Sequence, residues 1–249
     1  MIVLKSPREI ELMREAGKIV ALTLAVLAEK AKEGVSTAQL EKWAEEVIRK
    51  NKAIPSFKGY RGYPASICVS VNEEVVHGIP NPKRILKEGD VVSIDVGVIY
   101  KGYHGDAAIT IGIGRVTEEA KKLIEVTKGA LEAAISAAKA GNRLGDISWA
   151  IQSYAEKHGF NVVREYTGHG IGRNMHEEPQ VPNVGTPGKG VLLKPGMTLA
   201  LEPMVVAGSW EVEVLPDGWT VVTKDKSLAA HFEHTIVITD GEAEILTKL

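Results

Sequence analysis

The chain predicts an α/β fold made of two related helix–helix–strand halves. Helical and strand patterns run helix, helix, strand, and the same order restarts near residue 115. The halves also echo each other. Ala31-Lys32-Glu33-Gly34 resembles Ala138-Lys139-Ala140-Gly141, and Leu86-Lys87-Glu88-Gly89 resembles Leu193-Lys194-Pro195-Gly196. Both pairs are displaced by 107 residues (138 − 31 and 193 − 86), and that offset carries Asp95 onto Glu202. Such a duplication implies a pseudo-two-fold axis, which would bring equivalent carboxylates from both halves to a central seam. All 249 residues then read as one catalytic domain, with halves of about 1–114 and 115–249.

Ser6-Pro7-Arg8-Glu9 starts the first helix, with Ser at N-cap, Pro at the first helical position and an acid in the first turn. Ile10, Met13, Ala16, Gly17, Val20, Leu24 and Leu27 then recur at helical spacing. A second helix is capped by Ser36 or Thr37 and runs to about Asn51. Residues 66–70 and 91–113 read as strands, the latter turning at Tyr100-Lys101-Gly102. Thr117-Glu118-Glu119-Ala120 opens a long helix to about Ala140, and another spans about Leu144 to His158. Strands are expected near 162–165, 198–206, 211–214, 220–222 and 232–239. Residues 167–172 read as a glycine-flanked turn, and 176–202 as a short connection rich in proline and glycine.

Bulk properties exclude several function classes. With 44% hydrophobic and 25% charged residues, the composition is that of a soluble globular protein. A net charge of −2, with Lys and Arg spread along the chain, argues against a nucleic-acid site or attraction to an anionic membrane. A lone cysteine, Cys68, rules out an intramolecular disulfide and fits a reducing cytosol. The sequence has neither a run of about 18 apolar residues nor a secretory h-region at its start, so a cytoplasmic protein is expected.

Acidic residues inside apolar strands carry the chemistry. Asp95 interrupts Val91-Val92-Ser93-Ile94-Asp95-Val96-Gly97-Val98-Ile99. Asp106 lies on the return segment, and a tight hairpin centred between Tyr100 and Lys101 would make the two carboxylates direct cross-strand neighbours, with Cβ atoms roughly 5 Å apart. Glu202 ends Met197-Thr198-Leu199-Ala200-Leu201, held extended by Pro203. In His231-Phe232-Glu233-His234-Thr235-Ile236, alternation puts His231, Glu233 and Thr235 on one face. Taken singly, Asp106 also reads as a turn residue and Glu233 as a solvated one. As a set, four converging carboxylates would repel strongly, and a pair of divalent cations removes that problem. His169 (between glycines), His176 and His77 lie in turn-rich segments and read as a ligand plus acid–base groups. His158 reads as a helix C-terminal residue, and His104, near Asp106, as at most an outer-shell group.

Five segments in order, Ser93-Ile94-Asp95-Val96-Gly97, Gly105-Asp106, Thr167-Gly168-His169-Gly170-Ile171-Gly172, Leu201-Glu202-Pro203 and Phe232-Glu233-His234-Thr235, carry a resemblance. Over essentially its full length the chain resembles the type I methionine aminopeptidases of the pita-bread metallopeptidase superfamily. The resemblance implies a pita-bread fold around a central antiparallel sheet. It implies a hydrolase that removes the initiator methionine from nascent polypeptide N-termini when the next residue is small. Two divalent metals would be held by Asp95, Asp106, His169, Glu202 and Glu233, with Asp106 and Glu233 bridging. Asp95 would complete one shell, and His169 with Glu202 the other. Between the ions a water or hydroxide would attack the scissile carbonyl, with Glu202 as general base. His176 would stabilise the oxyanion, and His77 would contact the substrate amide and assist the leaving group.

Tyr60, Tyr63, Cys68, Met175 and Trp219 match the lining of the methionine pocket, where rings and sulfur suit a thioether. Taken alone, Tyr60 and Tyr63 would pass for turn anchors and Trp219 for a hairpin cap. Phe57 and Met175 depart from many members, which bears on pocket shape. An oxygen-rich set with one imidazole suits Co²⁺, Mn²⁺ or Fe²⁺, and does not by itself discriminate against Zn²⁺. A monomer is implied; a ribosome docking surface is not visible in the sequence. Proline-directed relatives share the five ligands but usually carry a separate N-terminal domain, whereas here the first helix begins at about residue 7. Type II members carry a helical insertion that the short 176–202 connection lacks. Non-catalytic members typically lose ligands that are all present here.

Overall fold

The computed structural model describes residues 1–249. Helix α1 (Pro7–Lys30) begins at a reciprocal capping box, in which the Ser6 amide donates to Glu9 Oε2 at 2.9 Å and the Glu9 amide donates back to Ser6 Oγ. Helix α2 (Thr37–Lys50) is capped by the Ser36 hydroxyl. The N-terminal half continues through β1 (Ile54–Pro55), β2 (Cys68–Val71), β3 (Glu74–Val76), β4 (Val91–Tyr100) and β5 (Tyr103–Gly112). Helices α3 (Glu118–Ala137) and α4 (Leu144–Lys157) open the second half. They lead to β6 (Asn161–Val162), β7 (Thr167–Gly170), β8 (Glu177–Pro182), β9 (Thr198–Leu201) and β10 (Met204–Val206). The chain ends with β11 (Val212–Val214), β12 (Val221–Thr223), β13 (Ala229–His231), β14 (Glu233–Val237) and β15 (Glu244–Ile245).

The duplication is visible in the elements. Helices α2 and α4 are both 14 residues long, and their first residues, Thr37 and Leu144, are 107 apart (144 − 37). Helices α1 and α3 end at Lys30 and Ala137, again 107 apart (137 − 30). Isolated bridges Ser36↔Ile85 and Arg143↔Leu192 obey the same offset at both partners.

One antiparallel sheet runs through the molecule in the order β1-β4-β5-β14-β9-β7-β8, with β2 added on β4 and β15 on β14. The pairing of β5 with β14, Glu233↔Ala108 and His234↔Ala107, stitches the halves together. Each half has its own core. Leu24, Leu27, Leu40 and Ile48 pack with Ile94 and Val96 in the first, and Leu123, Ile147 and Ile151 with Leu199 and Ile236 in the second. Each such fully buried aliphatic side chain contributes roughly 1.5–3 kcal/mol. No helix is long and apolar enough to cross a membrane.

Several boundaries differ from the sequence expectation. Helix α3 stops at Ala137 rather than near Ala140, and β6 covers Asn161–Val162 rather than 162–165. The strand expected over 198–206 divides into β9 and β10, which lie in different sheets. Pro203, between them, has no N–H to give to a ladder. The strand expected over 232–239 is the shorter β14, Glu233–Val237, and Phe232 separates it from β13, which ends at His231. The expected turn at 167–172 is largely strand β7, and part of the expected connection is β8. The glycines of β7 serve close approach rather than turning. A Cβ on Gly168 would strike the Ala200 carbonyl, and one on Gly170 the Glu178 carbonyl, so only glycine lets β9 and β8 close on β7.

Candidate metal centre

Strand register places the carboxylates. Asp95 pairs with Ala108 and Gly97 with Asp106, because the hairpin turns at Lys101-Gly102 with Tyr100 opposite Tyr103. Asp95 and Asp106 are therefore diagonal neighbours on one face, not the directly opposed pair expected from a turn centred one residue earlier. Ala108 faces Asp95 on one side and Glu233 on the other, so its small side chain lies between two acids. His169 pairs with Ala200 and His234 with Leu201, which sets Glu202, at the end of β9, beside Glu233.

Hydrogen bonds hold these backbones in place. The Asp106 amide donates to Thr235 Oγ1 at 3.0 Å, and that hydroxyl donates to the Asp106 carbonyl at 2.8 Å. Together they clip β5 to β14. His169 Nδ1 donates to the Gly170 carbonyl at 2.8 Å, leaving Nε2 as a lone pair pointed at Glu202 Oε1, 3.5 Å away. Ligand atoms of Asp106, His169 and Glu233 lie within 4.8 Å of one another, and so do those of Glu202, His231 and Glu233.

The electrostatics call for positive charge. Burial pushes the Asp95 carboxyl up to about 7 and Glu202 to about 8, and it raises Asp106 and Glu233 well above the carboxylate range. Asp95 Oδ1, Asp106 Oδ1, Glu233 Oε1 and His231 Nε2 are buried with no hydrogen-bond partner. The three carboxylate oxygens are orphaned acceptors of a costly kind, and a divalent cation among them satisfies them at once. Burial lowers His169 to about 3, so its imidazole is neutral and able to ligate. Four carboxylates and an imidazole form a hard, oxygen-rich donor set that fits a divalent ion.

A cavity of about 370 Å³ opens over this cluster. Tyr60, Tyr63, Cys68, Met175 and Trp219 all line it, as do His77 and His176. The aromatic wall is built by Trp219 standing edge-on to Tyr63, with centroids 5.1 Å apart. The Tyr63 hydroxyl donates to the Ile67 carbonyl, and Cys68 pairs across the sheet with Asp95. Phe57 explains Gly97: a Cβ there would meet the Phe57 ring at 2.6 Å. His176 is exposed, stacked on Tyr60, and its Nδ1 lies 2.8 Å from the Tyr60 hydroxyl. His77 sits in left-handed backbone at φ 61 and packs edge-on to Tyr166 and Trp219. Such strain in a non-glycine residue clusters at functional sites. Burial lowers His77 to about 4, and loss of solvent on the ring face stacked against Tyr60, with the Arg61 charge, lowers His176 to about 4, so both are neutral at pH 7.

Every site residue expected from sequence thus converges on one cavity or the cluster beneath it. His158 is a helix C-cap bonded to the Tyr154 carbonyl, and His104 bonds Ser56 away from the cavity. Sequence reasoning missed His231. Its period-2 relation to Glu233 put it on the right face, but nothing local showed that its ring would reach the carboxylates. Also missed was the cavity rim of Arg61, Glu165, Tyr166 and Gln180.

Residues 11–240 match the family model described as "Metallopeptidase family M24". A methionine aminopeptidase of Clostridium acetobutylicum is 57% identical over 99% of this chain and 99% of its own length. Methionine aminopeptidase 1 of Bacillus subtilis is 56% identical over the full length of both chains. The crystal structure of a methionine aminopeptidase from Thermotoga maritima superposes with a TM-score of 0.99 at 53% identity, covering all of both chains.

Proposed function

The chain belongs to metallopeptidase family M24, and on that premise we propose that it is a methionine aminopeptidase. It would remove the initiator methionine from nascent proteins and peptides whose second residue is small. One observation carries the reading: buried carboxylates with orphaned oxygens form the floor of a cavity whose wall combines aromatic rings with the sulfurs of Cys68 and Met175. That wall suits a thioether side chain, and that floor suits divalent ions.

In this reading Asp95, Asp106, His169, Glu202 and Glu233 hold two divalent ions, Co²⁺, Mn²⁺ or Fe²⁺ ahead of Zn²⁺. When bound, such ions polarise a carbonyl and lower the pKa of a water. Glu202 lies at the rim of the carboxylate cluster and accepts the proton of the attacking water. Burial raises its carboxyl to about 8, within reach of the proton it takes from a water near neutral pH. Donation from the Tyr60 hydroxyl to His176 Nδ1 leaves a proton on Nε2, a donor for the developing oxyanion. His77, held by its strained backbone against Trp219, presents its ring to the substrate amide and the departing amine. Tyr60, Tyr63, Cys68, Met175 and Trp219 enclose the methionine side chain. The whole chain acts as one catalytic domain, as a monomer in the cytoplasm, on N-termini emerging from the ribosome.

The test is hydrolysis of Met-Ala-Ser, Met-Leu-Ser and Gly-Pro by metal-free protein to which Mn²⁺ or Co²⁺ is returned. Metal-dependent release of Met from Met-Ala-Ser alone is expected. Cleavage of Gly-Pro would move the chain to proline-directed chemistry, and no turnover with either ion would refute a catalytic role.

A further inference from the structure

His231 lies outside the five-ligand set, yet it is 1% exposed and its Nε2 has no hydrogen-bond partner. That atom faces Glu202 Oε2 at 3.7 Å and Glu233 Oε2 at 3.8 Å. The backbone beneath it is held from both sides: the His231 amide donates to Thr110 Oγ1 at 2.8 Å, and the Thr110 hydroxyl donates to the His231 carbonyl at 2.7 Å. Ser93 meets the same hydroxyl at 2.8 Å. A buried imidazole is thus fixed in place and aimed at two acceptor-only oxygens.

The two oxygens of Glu202 meet different imidazoles. Oε1 faces His169 Nε2, whose proton is excluded because Nδ1–H is committed to the Gly170 carbonyl. That 3.5 Å contact is satisfied by a proton on the Glu202 carboxyl, which burial raises to about 8, or by a cation held between the two atoms, and with a cation bound Oε1 is the ion-facing oxygen. Oε2 points the other way, toward the one unpartnered nitrogen in the cluster. Carboxylates that ligate metals are themselves held by outer hydrogen bonds.

We propose that His231 is a positioning residue that donates Nε2–H to Glu202 Oε2, clamping the carboxylate between two imidazoles so that its ion-facing oxygen is fixed. The inference rests on the metallopeptidase reading above. At 3.7 Å the contact is longer than a hydrogen bond, and catalytic hydrogen bonds that are long in the free enzyme commonly tighten in the substrate complex. A small rotation of Glu202 toward His231 suffices. The clamp stops Glu202 from swinging toward both ions or presenting the wrong oxygen to the water.

The experiment compares wild type, His231→Gln and His231→Leu, each titrated with Co²⁺ and assayed on Met-Ala-Ser. Gln places an amide N–H within similar reach, whereas Leu fills the space without a donor. For H231L, kcat is expected to fall roughly 10- to 100-fold with KM little changed, and H231Q is expected to recover most of it. Co²⁺ stoichiometry and the d–d absorption bands should match wild type in both. His231→Met serves as a second donor-free variant if H231L does not fold. Loss of a Co²⁺ equivalent or altered d–d bands in both variants would make His231 a metal ligand and overturn the proposal. Unchanged kcat in a folded donor-free variant would leave it without a role in the reaction. If wild type itself neither binds Co²⁺ nor releases methionine, the metallopeptidase reading fails first, and the proposal with it.

Discussion

The two halves share a helical frame but deliver the residues of the proposed metal site differently. In the N-terminal half one uninterrupted hairpin, β4–β5, with ten residues in each strand, carries both Asp95 and Asp106. In the C-terminal half the ligands sit on strands of four or five residues or at their ends, and Glu202 lies where β9 gives way to β10. The 107-residue offset carries Asp95 onto Glu202, but it carries Asp106 onto Glu213, an exposed residue of β11 far from the role of its counterpart. Glu233 pairs with β5 instead, 20 residues further along (233 − 213). The intervening chain forms the β11–β12 hairpin, which pairs with β3 of the first half, just before His77, and sets Trp219 against Tyr63. The departure from symmetry therefore places Trp219 in the cavity wall, whereas the symmetric part supplies the seam.

That contrast breaks first at the ligands. Asp106→Asn and Glu233→Gln, one from each half, should each lower kcat/KM by more than about 100-fold, a loss beyond that of outer-shell partners, with metal binding weakened in direct titration. Stability of the ion-free protein should move the other way, because each variant removes a buried acid that burial disfavours. A higher thermal midpoint for the ion-free variants than for ion-free wild type checks this. A lower midpoint in both would mean that the carboxylates hold the seam together without metal.

The pH dependence sharpens the same comparison by sign. Site carboxyls have folded pKa values raised above those of the unfolded chain. Their contribution is fully favourable below about pH 4 and is lost as pH rises toward the values near 7 and 8 of Asp95 and Glu202. Ion-free protein should therefore lose stability between about pH 4 and pH 8, and bound Co²⁺ should abolish that slope. At the start of α1 the sign reverses. Hydrogen bonds from the Ser6 amide, the Tyr103 hydroxyl and the Ser6 hydroxyl hold Glu9 down to about 2. Its stabilisation is present above the ordinary value of 4.5 and fades as pH falls toward 2. Glu9→Gln should flatten the acid limb and leave the neutral one unchanged in denaturation curves across pH.

A smaller effect is expected at the extra hairpin. Trp219→Ala removes one edge-to-face partner, about 0.5–1.5 kcal/mol, and so should raise KM for Met-Ala-Ser roughly 2- to 10-fold with kcat nearly intact. Selectivity for Met over Leu at the first position should narrow. A fall in kcat with unchanged KM would assign Trp219 to His77 rather than to the pocket. Smallest of all, Ser6→Ala should cost about 1 kcal/mol of stability without touching activity, read from denaturant midpoints.

The sequence by itself determined the helices, the doubled architecture and a set of residues that the fold brings to one cavity. Helix periodicity and caps are local, so α2 and α4 could be read from Ser36, Thr37 and the apolar spacing alone. A charge within or at the end of an apolar run costs enough free energy to be conspicuous wherever it lies, which made Asp95 and Glu202 legible before any contact was known. Tertiary structure decided what depends on pairing between distant strands. The hairpin register moved Asp106 to the diagonal of Asp95. Residues 167–170 became a strand because β8 and β9 close on both sides of glycines that look like a turn in isolation. Phe232 parted β13 from β14, and Thr110, on another strand, holds the His231 backbone where its ring faces Glu202. Such outcomes are set by which chain segments meet across the sheet, and a strand's own pattern specifies its two faces but not its neighbours.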